Sequence, residues 1–111
     1  MAELTSEDFS NEAQKVTADK LEELRRLSYN DVVELPRALL EDIVVARKEI
    51  QMTIFRQQGL PNLDNAILVT VQLARASLGG IVSYQYERGL VYLTSGEVRD
   101  ATESELLATG S

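Results

Sequence analysis

PRALLEDIVVARKEIQMTIFRQQ, Pro36 to Gln58, followed by Gly59 and Pro61, is the stretch on which the reading of the whole chain turns. Leu39, Ile43, Ala46, Ile50 and Ile54 recur at three- and four-residue steps, the spacing of one face of an α-helix. Leu40 widens that stripe, and Val44 and Phe55 extend it to one flank. Proline in a first helical turn loses no hydrogen bond. Gly59 stands where a left-handed C-cap residue belongs, and Pro61 cannot continue a helix. The spacing therefore predicts a helix over 36–58. Arg47 falls inside the apolar arc, where its stem can pack while its charge reaches solvent. Val45 and Met52 fall together on the charged side, which suggests contact with a second neighbour.

Working outward, Phe9, Ala13, Val16, Leu24 and Leu27 share one face of a helix predicted over 6–28, with Ser6 as its N-cap. Thr17 and Asp19 offer an alternative start. Ser28-Tyr29-Asn30-Asp31 is a cluster of turn and cap residues, and Leu35 is held out of the helical region by Pro36. After Pro61, Ile67, Val71, Ala74 and Leu78 predict a third helix over 62–78. Leu68, Val69 and Leu73 make it apolar almost all round, as in a helix buried on several sides.

Gly79-Gly80 ends that pattern. The alternation Val82, Tyr84, Tyr86 and the return Leu90 to Thr94 predict a β-hairpin over 81–94, with Glu87-Arg88-Gly89 as its loop. A continued helix through Tyr92 is the competing reading. Ser95-Gly96 marks another turn, and Thr102-Glu103-Ser104-Glu105 is a capping-box pattern opening a short C-terminal helical turn. The expected fold is thus mainly α, a small α+β domain of two to three packed helices, a hairpin and a terminal turn. A single domain over 1–111 is expected, with short polar ends at 1–5 and 109–111.

Composition narrows the function. The 111 residues include neither cysteine nor histidine, so thiol chemistry, disulfides and the commonest acid–base group and metal ligand are missing. Glu34, Glu41 and Glu49 have the look of helix-borne carboxylates without the histidine that a di-iron site adds. Ser28, Ser77 and Ser83 lack a histidine base, and Lys15, Lys20 and Lys48 occupy exposed or stripe-edge helix positions. Gly79-Gly80 fits no phosphate-binding loop. The formal net charge of −7 is spread along the chain without a basic cluster, which disfavours direct nucleic-acid binding. The N-terminus is the reverse of a signal peptide, and the most apolar region, 66–82, is short and interrupted for a membrane span.

The expectation is therefore a protein that is no enzyme, with no catalytic residue, metal, cofactor or small-molecule substrate. It is expected to be a soluble structural or assembly subunit acting through contacts with itself and with other proteins of an assembly. One instance is a small virion component such as a head-completion, neck or ring protein of a bacteriophage. It would reside in the cytoplasm or in an assembly built there. The alternative is an intracellular regulatory adaptor or antitoxin-like module with one protein partner. The interface residues expected are Val45, Met52, Phe55, Tyr84, Tyr86 and Tyr92, apolar or polar-tipped side chains of the kind that interfaces favour.

Overall fold

In the computed structural model, residues 6–45, 47–60, 63–76 and 82–108 are described. Helix α1 spans Ser6–Arg25 and the single-turn α2 spans Tyr29–Val33. Five strands follow: β1 Ala38–Val45, β2 Lys48–Leu60, β3 Leu63–Ala76, β4 Val82–Tyr92 and β5 Val98–Asp100. Helix α3, Glu103–Ala108, closes the described chain. The strands form one antiparallel sheet in chain order, β1-β2-β3-β4-β5.

The mainly α expectation is overturned. Of the helix expected over 36–58, residues 38–45 and 48–58 are not helical but belong to strands β1 and β2, in register from Ala38–Phe55 to Val45–Lys48, with Arg47 in a turn between them; residue 46 lies outside the described residues. Of the helix expected over 62–78, residues 63–76 form β3 instead, and 62, 77 and 78 lie outside the described residues. The expected hairpin over 81–94 is a single strand from Val82 to Tyr92, paired along its length with β3.

The physical reason lies in the alternation. Ile50, Met52 and Ile54 on β2, and Ile67, Val69, Val71 and Leu73 on β3, are all buried in one core with residues of α1. Side chains two apart share a sheet face, so that set satisfies a strand period. Some of its members also satisfy helical spacing. In β3 the intervening Leu68 is buried on the opposite face with Leu60, Ala66, Val91 and Leu106. A strand buried on both faces reads as a continuous apolar run, which periodicity alone does not separate from a buried helix.

Three expectations at punctuating residues are corrected in instructive ways. Gly59 does adopt a left-handed conformation (φ 87°), but at a bulge between Gln58 and Leu60 rather than at a helix end. Arg47 lies at the tip of the β1–β2 hairpin, exposed and itself left-handed (φ 67°). Gly89 is in mid-strand. A Cβ there would meet Leu106 Cδ2 at 3.0 Å, the Val69 carbonyl oxygen at 3.1 Å and Leu68 Cδ1 at 3.2 Å. The glycine is required by the close approach of α3, not by a loop.

Helix α1 lies across one face of the sheet. Its side chains Phe9, Ala13, Leu21 and Leu24 enter the same core as the strands, and Thr17 is accommodated because its hydroxyl donates to the Ala13 carbonyl at 2.9 Å. The N-terminal end sits at the β1–β2 hairpin, where Lys48 lies 5.4 Å from the Phe9 ring centroid. At the other end the Tyr92 hydroxyl donates to the Leu24 carbonyl in the last turn of α1. Burial pushes the Tyr92 phenol up to about 12, with the nearby Arg25 charge pulling weakly the other way. Ser28 caps α2 through a reciprocal capping box with Asp31, whose carboxyl those Ser28 hydrogen bonds hold below its usual range.

Helix α3 covers one end of the second face. Its capping box forms as the sequence indicates: the Thr102 hydroxyl accepts the Glu105 N–H at 3.1 Å and Glu105 accepts the Thr102 N–H at 2.9 Å. Gly89→Ala is expected to destabilise the fold by about 1–3 kcal/mol, as overpacking does. Urea unfolding of both chains checks this, and the cost is smaller when Leu106→Ala first removes the colliding methyl.

Candidate functional site

Among the described residues, two adjoining parts of the sheet have no covering element. The first is the free edge of β1. The Arg56 N–H donates to the Arg37 carbonyl at 2.9 Å, which fixes the phase of the β1–β2 ladder. Odd-numbered residues of β1 turn their backbone groups toward β2. Ala38, Leu40, Asp42 and Val44 turn theirs away from the sheet.

The second part is the half of the second face that α3 does not reach. The register places Ala38, Leu40, Asp42 and Val44 on this face beside Glu49, Gln51, Thr53 and Phe55 of β2. Leu40 and Val44 are 65% and 68% exposed, and Phe55 is 38% exposed. Near the hairpin tip a depression of about 500 Å³ is lined by residues that include Asp42, Val44, Glu49, Gln51 and Ala74. Edge strands of solitary chains are commonly blunted by lysine, proline or a bulge. ALLEDIVV carries no lysine or proline, and its pairing with β2 runs without a break. Its charges are the adjacent Glu41 and Asp42, and Glu41 is already met by Lys20 of α1 at 3.8 Å.

The residues expected at an interface are dispersed by the fold. Val45 and Met52 are buried in the core beneath α1, on the α1 side rather than at the surface. Tyr92 is fully buried there as well, and Tyr86, opposite Leu73, is half-buried on the same face. Tyr84 lies opposite Arg75 in the register, and its side chain lies outside the described residues. Of the five whose side chains are described, Phe55 alone is exposed on the open half-face. The residues that sequence reasoning left out of the interface are Leu40 and Val44. Their signal was a strand-length apolar run with no edge protection, which is visible only once the segment is recognised as a strand.

Charged groups at the opposite end have structural roles. Arg99 donates two hydrogen bonds of 2.8 Å, one to each Glu105 oxygen, and so clamps α3 to β5. The Arg99 hydrogen bonds, together with those from Thr102, hold the Glu105 carboxyl down from 4.5 to about 2. The same pairing raises the Arg99 guanidinium above its usual range. Asp100 accepts from Arg25 of α1 and lies 3.9 Å from Arg88, tying β5 to both helix and sheet. No group of three or more carboxylates suited to a metal ion occurs among the described residues. Nor is any described helix long and apolar enough to cross a membrane.

Comparison with protein-family models, with curated proteins and with solved structures returns no match to this chain. Function is therefore argued from the surface itself.

The Glu105 pair has a pH signature. Its folded pKa lies below the unfolded one, so its contribution is full above about 4.5 and is lost as pH falls toward about 2. The pair is partly exposed, so solvent screening limits it to about 1 kcal/mol. Glu105→Gln is expected to cost about that much at neutral pH, with the difference from wild type vanishing by the acid end of that window. Urea titrations across the range measure it.

Proposed function

We propose that the chain is a non-enzymatic assembly subunit whose working contact is with further copies of itself, made along β1 and over the open half-face beside it. The observation that carries this is the pair Leu40 and Val44, two large apolar side chains about two-thirds exposed on a strand whose outer backbone groups have no partner among the described residues. Strand addition supplies those groups with hydrogen bonds and removes the apolar side chains from water in the same step.

Charge restricts the pairing. An antiparallel ladder about a two-fold axis perpendicular to the sheet matches residues of the same parity, because both copies present the same face. An axis beside Glu41 or Asp42 sets that carboxylate against its own copy, which is unfavourable. An axis beside Leu40 sets Leu40 against Leu40, Ala38 against Asp42 and Leu39 against Glu41, and keeps the four carboxylates apart. The register centred on Leu40 therefore satisfies this restriction. A virion or other large assembly requires a further contact besides this one. Beyond the three-residue β5, the described stretch of β4 has a second unpaired margin for it.

Native mass spectrometry and sedimentation at micromolar concentration test the proposal. Wild type is expected to be oligomeric, and Leu40→Lys with Val44→Lys monomeric with an unchanged circular dichroism spectrum. A wild-type chain that stays monomeric contradicts it and favours the adaptor reading, in which the same edge takes a strand from a different protein.

A further inference from the structure

The β1–β2 ladder places Arg37 directly opposite Arg56, one step beyond the Ala38–Phe55 pair. Side chains opposite one another in an antiparallel pair share a face and approach closely, and like charges in that position repel. Arg37 and Arg56, with Gln57 and Gln58, line a cleft of about 350 Å³. Among the described residues neither arginine is in an ion pair, although the protein is acidic overall. Arg25, Arg88 and Arg99, by contrast, all have carboxylate partners. In addition, the Arg56 Nε is buried and has no hydrogen-bond partner. A buried N–H donor on a permanent cation without an acceptor is unfavourable, and the exposed like charge of Arg37 opposite it adds repulsion.

From this geometry we infer that the Arg37–Arg56 cleft is a binding site for a small oxyanion, a phosphate or carboxylate group. An oxyanion between the two guanidinium planes accepts from both forks, satisfies Arg56 Nε and cancels the repulsion across the ladder. Gln57 and Gln58 complete the described lining of the cleft. The site is independent of the assembly contact, because the side chains of Arg37 and Arg56 lie on the face opposite that of Leu40 and Val44. Among the described residues no nucleophile or general acid lines the cleft, and the inference concerns binding alone.

The test is a titration of the full chain with inorganic phosphate and, separately, succinate, against sodium chloride at matched ionic strength. Melting temperature and the ¹⁵N–¹H resonances of the arginine Nε groups are read together. The Arg56 Nε–H signal, assigned by its disappearance in Arg56→Gln, is expected to shift in a saturable way, with a rise in melting temperature that chloride does not reproduce. Arg37→Gln changes an exposed residue and leaves the fold intact. It is expected to weaken the anion by about tenfold, the loss of one charge-assisted partner. Stronger binding of phosphate than succinate assigns the site to phosphate compounds, and the reverse assigns it to carboxylates such as a chain terminus. No saturable shift with either anion, or an equal response in wild type, Arg37→Gln and Arg56→Gln, overturns the inference.

Discussion

The structure depends on one strand that is buried on both faces. In β3, Ile67, Val69, Val71 and Leu73 face α1 while Leu68 faces α3, and all five are essentially without exposure. Each such side chain contributes about 1.5–3 kcal/mol relative to an exposed one, which is available only if a layer lies on each side. Helix α1 supplies the first layer along the sheet. The Tyr92–Leu24 bond fixes its C-terminal end, and the contact of Phe9 with Lys48 marks the other. Helix α3 supplies the second layer at one end only. Its position rests on the Arg99–Glu105 clamp and on the absence of a side chain at Gly89. Among the described residues, the half-face left uncovered follows from a six-residue helix serving strands of eleven to fourteen residues.

Local signals in the sequence that need only a few neighbouring residues were legible. The Ser95-Gly96 turn and the capping box at Thr102 depend on short-range hydrogen bonding and form where the residues indicate, whereas the first helix ends at Arg25 instead of residue 28 and Ser28 caps the separate turn α2. The sheet was not legible, because three features conspire against it. The β1–β2 turn has Arg47 in the left-handed position instead of the glycine or asparagine that announces a tight hairpin. Strands β2 and β3 are more than twice the usual length, so their boundaries resemble those of helices. Pro36 and Gly59 bracket the segment as helix caps do, yet one precedes an edge strand and the other makes a bulge. The left-handed state of Gly59 was correctly implied by the residue, and the element around it was not.

The same misassignment hid both surfaces on which function is argued. On a helix, Val45 and Met52 form an exposed pair and Leu40 joins the core. On a strand the assignment inverts, with Val45 and Met52 inside and Leu40 and Val44 outside. Arg37 and Arg56 are nineteen positions apart and have no relation in a helical reading. Pairing of β1 with β2 brings them face to face. Register, which only long-range pairing creates, thus determines the assembly edge and the cationic cleft alike.

The most direct measurement is amide hydrogen exchange along β1 as a function of protein concentration. The N–H groups of Leu39, Glu41 and Ile43 are turned to β2 and are expected to be protected at every concentration. Those of Leu40, Asp42 and Val44 point outward, and they are expected to exchange rapidly in dilute protein and to become protected as the chains assemble. Rapid exchange of these three at all concentrations, with their odd-numbered neighbours protected, would contradict the assembly edge. Loss of the alternation itself would contradict the strand.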